Sequence, residues 1–502
     1  MSLNKTYILA LLILLFSLIL RLSLISKGPY HIDCLNLAIN AEATLLSHQL
    51  HFLHGPGYPL TVLMGALFIA LMRILGIQDP VIAVNFMSVV LSSLTLLPFF
   101  AIVKKLFNNQ AAILSTLALS LNPIFLGLSI FGNSHIPSLF FLSLGILYLL
   151  RFKEAFKRKN FLLSILFLGL AGAARLQDLG FLFLAVSFIY FMPPLPSKAQ
   201  SHLLSERPSL ISLSLFWIFI LGIVLSFHAL YLLQDSRLSY VNQFSRFLHA
   251  AETYGQGINW PYLWHGVMVL WTTLSPFGFL SALGGLILLG PKQKHILGFL
   301  ILWFLVPFLI CGNLVSVVPR FLLLPSVPLL MGQGYLLDRL SRCALFVKIF
   351  VSTLFVGIQL LLFTAFYPIF AFRHNYALSV DFAQWVGEQT EDNALVITAD
   401  EGLFIRYYGH RTTLLQFRTV LPKATDPWES YKQNLNRLFQ QQIPVYITGD
   451  GLYSYHPSRR FSQLLKEHYR LELIGTQLTE DWHQGELILR KGLGKLFRLT
   501  LR

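Results

Sequence analysis

The sequence predicts a polytopic α-helical membrane protein, with about 11 spanning helices, one helix embedded in the outer face, and a C-terminal soluble α/β domain. Of the 502 residues, 55% are hydrophobic and only 12% are charged, and the mean hydropathy is +0.63. A soluble chain of this length is far less apolar. Charged residues become common from about Asn375, so we predict a transmembrane domain at 1–374 and an extracytoplasmic domain at 375–502.

Apolar runs long enough to cross a bilayer recur throughout the first domain. The first, at 7–26, is followed by no small-residue cleavage site, which favours a retained helix over a signal peptide. The remaining runs lie near 80–103, 110–128, 136–151, 161–175, 180–193, 210–233, 266–289, 295–311, 319–337 and 345–370.

The run at 58–76 is ambiguous, and loop charge decides its placement. Short cytoplasmic loops carry excess Lys and Arg. A spanning helix at 58–76 would place the strongly basic loop 151–160 outside, whereas an outer-face embedded helix places every basic loop inside. We therefore predict that the first loop, 27–79, and the C-terminal domain lie outside the plasma (inner) membrane.

Charge and cysteine content exclude several classes of function. The formal net charge of +15 is spread between apolar runs and over the tail, which fits orienting loop charge and not nucleic-acid binding. Cys34, Cys311 and Cys343 show no metal-ligand or disulfide spacing.

The C-terminal domain has no Walker loop and no GxGxxG. It combines strand-like runs at 394–398, 412–417, 444–450 and 471–476 with a helical pattern at 428–442.

Polar residues that concentrate in the predicted outer loops are candidates for chemistry. Asp33 follows the first helix and is either a solvated loop acid or a general base. Arg175 is paired with Asp178 or bound to an anion, and Arg320 either snorkels or binds an anion. The spacing of His48, His51 and His54 suggests metal ligands or, preferably, the polar face of an amphipathic helix, since no nearby acid or cysteine completes a tetrahedral set.

These features resemble a known superfamily over about the first two hundred residues. An Asp in the first outer loop, the segment HGPGYPL at 54–60 leading into an apolar helix, and the stretch 83–150 are similar to the GT-C superfamily of integral-membrane glycosyltransferases. Within it, the bacterial branch that includes protein O-mannosyltransferases and the lipid A aminoarabinose transferase is the most similar.

The resemblance implies an inverting transfer of a sugar from a polyprenyl-phosphate carrier to a protein, lipid or glycan acceptor at the outer face. It implies Asp33 as the catalytic base, and Arg175 and Arg320 as ligands of the donor phosphate. The implied substrate-binding residues are Glu42, His54, Tyr58 and His135. Besides these substrates, the expected partners are membrane lipids.

Two departures from the family pattern affect the expected cofactor. Cys34 stands where many relatives carry a second acid, and His135 stands where an acid is expected in the second outer loop. A divalent metal site needs oxygen ligands, so we expect a mechanism without a metal or other cofactor. Two alternative functions remain, a transporter or flippase for a lipid-linked or small substrate, and a catalytically inactive relative.

Overall fold

The computed structural model is mostly helical and ends in a small sheet. It describes residues 5–53, 55, 57–193, 209–234, 241–242, 245, 259–290, 293–312, 319–399, 401–415, 427–453, 460–480 and 487–502. The first helices are α1 Lys5–Leu22, α2 Ile32–Ser47, α3 Pro59–Ile74, α4 Pro80–Leu106, α5 Asn109–Leu121, α6 Pro123–Ser129, α7 His135–Ala155, α8 Arg158–Ala174, α9 Leu176–Phe181, α10 Phe183–Phe191 and α11 Leu210–Leu232. They are followed by α12 Trp260–Leu289, α13 Lys294–Gly312, a 3-10 turn Pro319–Leu322, α14 Leu323–Ser341, α15 Leu345–Asn375 and α16 Leu378–Glu388.

The described helices include six that are long and apolar enough to cross a membrane, and seven if α5 and α6 form one span bent by 59°. The chain is thus a polytopic membrane protein, while the number of 11 spans stays a prediction. Helix α3 occupies the ambiguous run at 58–76 and has only 16 residues. A helix of that length extends about 24 Å, less than the hydrocarbon core of about 30 Å. This short length is compatible with the predicted embedded helix.

Helices of the first unit end or bend at identifiable residues. The backbone of Arg175 is extended, with φ −160° and ψ 99°, and ends α8. Helix α12 is kinked at Ser275, which has φ 65°, immediately before Pro276. Because proline has no backbone N–H, the helical hydrogen-bond ladder is interrupted there.

Helices α12 and α14 approach each other at glycine residues. A Cβ atom added to Gly285 would lie 2.0 Å from the carbonyl oxygen of Gly332, and one added to Gly332 would lie 2.8 Å from that of Ala282. Backbone atoms of a packed helix cannot move aside as a flexible side chain does. The close crossing of these two helices therefore requires glycine.

We expect Gly285→Ala to lower the melting temperature of the detergent-solubilised protein markedly, because overpacking of this kind costs about 1–3 kcal/mol or more. Gly357→Ala is the matched control, since an added Cβ at Gly357 meets nothing within 4 Å. It should leave the melting temperature unchanged or raise it, as alanine is the better helix former. Equal melting temperatures for both variants would contradict the close crossing.

The second part of the chain contains a five-stranded sheet of order β2-β1-β3-β5-β4. The strands β1, β2 and β3 pair in parallel, whereas β5 pairs antiparallel with β3 and β4. The remaining elements are β1 Leu395–Thr398, α17 Gly402–Tyr408, β2 Thr412–Leu415, α18 Pro427–Gln440, β3 Val445–Thr448, α19 Gly449–Tyr453, α20 Arg460–His468, β4 Tyr469–Glu480 and β5 Lys491–Leu501. The four predicted strand runs and the helix at 428–442 correspond to β1, β2, β3, β4 and α18, whereas β5 was not predicted. Aliphatic strand residues such as Val445 and Ile447 form a buried core with Leu435 of α18.

The chain divides into two compact units, while the predicted domains, 1–374 and 375–502, stay a prediction. The first unit comprises Met1–Ser26, Leu37–His374 and Gly485–Leu487. The second comprises Lys27–Asn36, Asn375–Gln484 and Ile488–Arg502. Residues 27–36 therefore group with most of the C-terminal residues in the second unit. Close packing accounts for this, because a Cβ on Gly28 would lie 2.8 Å from that of Ala377, next to α16.

A carboxyl group is buried at the carboxyl ends of β1 and β3. Glu401 is fully buried, and its carboxylate accepts hydrogen bonds from the amide of Ala399 at 3.2 Å and from the hydroxyl of Thr448. Burial, followed by the charge of Asp450, raises the pKa of Glu401 from 4.5 to about 7. The folded domain thus retains a proton at pH values where the unfolded chain has lost it.

We expect the second unit to lose stability as the pH rises from about 5 to about 8, by on the order of 3 kcal/mol. The sign follows from the raised pKa: the contribution is complete below the unfolded value and is lost as the pH passes the folded one. Amide exchange of β1 and β3 in the full chain, corrected for the intrinsic pH dependence of exchange, measures this change. Glu401→Gln should remove the slope, and an unchanged slope in that variant would refute the assignment.

Candidate active site

The break between α8 and α9 places Arg175 among buried polar groups of the first unit. Helix α8 ends at Ala174, whose carbonyl oxygen accepts a hydrogen bond of 2.9 Å from the hydroxyl of Thr61 on α3. This contact fixes the end of α8 against the predicted embedded helix. The side chain of Arg175 then projects from an extended residue between two helices.

The guanidinium group of Arg175 is held on several sides. Its Nε donates to Oδ1 of Asp178 at 3.0 Å, and its Nη1 donates to the hydroxyl of Ser134 at 3.0 Å. Its Cζ lies 5.6 Å from the centroid of the Tyr58 ring. Arg175 is 7% exposed and Asp178 is 3% exposed. The pair with Asp178, one of the two alternatives drawn from the sequence, is thus present, and the cation is oriented by three neighbours.

Tyr58 connects this cation to a second polar side chain. Gly57 precedes it with a φ of 97°, a conformation that glycine adopts at little steric cost. The turn directs Tyr58 into the protein, where its side chain is buried. Its hydroxyl accepts a hydrogen bond of 3.2 Å from Nε2 of Gln177 on α9. Arg175, Tyr58 and Gln177 therefore form one continuous cluster.

Two asparagines hold the loop between α6 and α7 in place. The side chain of Asn85 on α4 donates to the carbonyl of Ser26 at 3.0 Å and accepts from the amide of Gly132 at 2.8 Å. Asn133 accepts hydrogen bonds from the amides of His135 and Ile136, which begin α7. This bracing positions Ser134, the partner of Arg175.

His135 and Arg320 meet through an aromatic ring. His135 is 6% exposed, and its ring centroid lies 6.0 Å from that of Phe321. The guanidinium of Arg320 lies 5.4 Å from the same ring centroid. Arg175 contacts Tyr58 and the hydroxyl of Ser134, the residue before His135, while His135 and Arg320 each lie near the ring of Phe321.

Asp33 lies in the second unit, in the first turn of α2. Its carboxylate Oδ2 lies 3.3 Å from Nδ1 of the buried His31, and its side chain is 37% exposed. The same Nδ1 accepts a hydrogen bond of 3.1 Å from the amide nitrogen of Asp33. Asp33 is therefore partly accessible and oriented by a histidine.

Other predicted residues are not part of the Arg175 cluster as described. Glu42 on α2 forms an ion pair with Arg73 of α3. His54 lies outside the described residues. The predicted surface helix carrying the histidines is wrong for His48 and His51, because α2 ends at Ser47 and His48 adopts a left-handed backbone with φ 56°. Within the described part of the chain, no three His, Cys, Asp or Glu side chains are grouped to hold a metal ion.

Sequence reasoning missed Ser134, Gln177 and Asn85. Their partners are distant along the chain: Ser134 binds a residue 41 positions away, and Gln177 binds one 119 positions away. Arg175 was the feature of the sequence that could have indicated them, since a charged residue at the end of an apolar run is expected to have polar neighbours.

The sequence and the fold of this chain are similar to those of known proteins. Residues 59–233 match the family described as dolichyl-phosphate-mannose-protein mannosyltransferase. A search of curated proteins gave no match. The crystal structure of ArnT from Cupriavidus metallidurans bound to undecaprenyl phosphate is similar with a TM-score of 0.59, 12% identity, and coverage of 98% of this chain and 97% of that chain.

Two further structures have related folds. The oligosaccharyltransferase AglB from Archaeoglobus fulgidus, in complex with an inhibitory peptide and a dolichol-phosphate, gives a TM-score of 0.56 at 13% identity and covers 96% of this chain and 74% of that chain. The arabinofuranosyltransferase AftD from Mycobacteria gives 0.53 at 14% identity and covers 100% and 40%. The resemblance predicted from the sequence is confirmed, and the chain has the GT-C fold of integral-membrane glycosyltransferases.

Proposed function

We propose that this protein is an inverting glycosyltransferase that moves a sugar from a polyprenyl-phosphate carrier to an acceptor at the outer face of the plasma (inner) membrane. The observation that carries the proposal is the buried guanidinium of Arg175, fixed by Asp178 and Ser134 over Tyr58. A fixed buried cation favours an anionic ligand. The fold supports the same ligand class, because the similar ArnT structure holds undecaprenyl phosphate.

In the proposed reaction, Asp33 removes a proton from the acceptor as the acceptor attacks the anomeric carbon. The bond between this carbon and the phosphate oxygen breaks on the opposite face, which inverts the configuration. The phosphate leaves on its lipid with the bonding electrons, and the acceptor proton stays on Asp33. Arg175 and Arg320 stabilise the negative charge that develops on the leaving group.

We assign binding of the donor sugar to the remaining predicted side chains. Tyr58 lies in the cluster around Arg175, and His135 follows Ser134, which contacts Arg175. Both are proposed to contact the sugar, together with Glu42 and His54. No divalent cation takes part in the proposal, since Cys34 and His135 replace the acids that would supply oxygen ligands. The acceptor is a protein, lipid or glycan presented at the outer face.

One observation favours a second candidate, a flippase or transporter for a lipid-linked substrate. Broken helices occur at transporter binding sites, and α12 is interrupted at Ser275 while α5 and α6 meet at 59°. A transporter would move the intact carrier, whereas the proposed enzyme cleaves the bond between sugar and phosphate. The fate of that bond separates the two functions.

The test uses vesicles that contain the purified full-length protein and a panel of radiolabelled polyprenyl-phosphate sugars, with cell-envelope extract as acceptor. We expect the label to leave the lipid for one donor and to appear in the acceptor fraction. Label that crosses the membrane while still attached to the lipid would support the flippase instead. If no donor binds or is consumed by folded protein, the glycosyltransferase proposal fails.

A further inference from the structure

We propose that Gln177 contacts a hydroxyl group of the donor sugar and contributes to the choice of sugar. This inference rests on the proposed function and names a residue that discriminates among its substrates. It starts from the terminal amide of Gln177, which is held at one end by the Tyr58 hydroxyl. Within the part of the chain that the structure describes, the other end, Oε1, is buried and has no hydrogen-bond partner.

The two ends of the amide differ in how they are satisfied. Nε2 donates to the Tyr58 hydroxyl, whereas Oε1 is buried without a hydrogen-bond partner among the described residues. A buried amide group left unpaired is unfavourable, so this position favours a ligand that supplies the bond.

The surroundings of the amide identify the chemistry of that ligand. Gln177 is two residues from Arg175, and Tyr58 contacts both the guanidinium of Arg175 and the amide of Gln177. A phosphate bound at Arg175 would therefore carry its attached sugar beside this cluster. A sugar hydroxyl donates a hydrogen bond, so it matches the buried Oε1.

A neutral amide differs in function from the cation beside it. Arg175 is expected to bind any lipid phosphate, since attraction between charges does not depend on the sugar. A single hydrogen bond to an amide requires a hydroxyl at one position of the ring. Removing such a bond from a buried site changes the preference for one epimer over another.

The test measures binding of two probes to the purified full-length protein in nanodiscs: undecaprenyl phosphate alone, and undecaprenyl phosphate bearing glucose, mannose or galactose. These sugars differ pairwise in the configuration of one or two hydroxyls. Gln177→Met keeps the length of the side chain and removes the amide. We expect it to weaken binding of the preferred sugar-bearing lipid by about tenfold and to leave binding of undecaprenyl phosphate unchanged.

Gln177→Glu provides a second comparison, because the carboxylate still accepts a hydrogen bond and should retain part of the sugar preference. Gln389→Met, in the second unit, is the control for a lost glutamine and should affect neither probe. If Gln177→Met leaves the sugar preference intact, or weakens both probes equally, the inference is overturned while the proposed function stands. If the wild type binds neither probe, the proposed function fails and the inference falls with it.

Discussion

If Asp33 is the general base, Asp33→Asn lowers the rate of sugar transfer in vesicles by roughly 10²–10⁴-fold. The amide of asparagine has nearly the same shape as the carboxylate but cannot accept the acceptor proton. The amide nitrogen of residue 33 still donates to His31 Nδ1, because that bond uses the backbone. Folding should therefore be retained, and the melting temperature measures it.

The matched control for this variant is Asp381→Asn. Asp381 also lies in the first turn of a helix of the second unit, α16, and is exposed. The same change of charge at the same kind of position should leave transfer at the wild-type rate. Full turnover by Asp33→Asn, with donor consumption at the wild-type rate, would remove Asp33 as the base.

Arg175→Gln should lower both the rate of transfer and the stability of the first unit. Removing a preorganised donor at a developing negative charge typically lowers rates by about 10²–10³-fold. The variant also leaves Asp178, which is 3% exposed, without its cation. Breaking a buried ion pair on one side costs about 3–5 kcal/mol, so we expect a large fall in melting temperature.

A double variant separates these two effects. Arg175→Gln combined with Asp178→Asn removes both charges, so the melting temperature should recover in part while transfer stays low. Arg342→Gln is the matched control, since Arg342 pairs at 2.7 Å with the buried carboxylate of Asp338. It should lower stability without a specific loss of transfer per folded molecule. Recovery of transfer in the double variant would show that Arg175 only supports the fold.

The elements that were predictable from the sequence have strong local patterns. Aliphatic runs bounded by polar turns gave β1 to β4, and long apolar runs gave helices such as α4 and α7. Strand β5 was missed because Gly492, Gly494 and Lys495 interrupt its apolar alternation. Its pairing with β3 and β4 supplies the stability that its own sequence does not indicate.

The candidate site was predictable only where partners are close in sequence. Arg175 and Asp178 are three residues apart, and their pairing was one of the two stated alternatives. The ion pair of Glu42 with Arg73, 31 residues away, was not predicted, and the role of Glu42 in binding substrate stays a prediction. Contacts over such separations depend on how helices pack, which a single sequence does not determine. The role of Asp33 as base stays a prediction.

The packing of Gly28 against Ala377 sets a condition for recombining related proteins. Residues 27–36, which carry Asp33, belong to the same compact unit as the C-terminal sheet. A chimaera that exchanges only residues 375–502 would place a foreign surface against Gly28. The two segments should therefore be exchanged together, and deletion of residues 375–502 would remove Ala377, against which Gly28 packs.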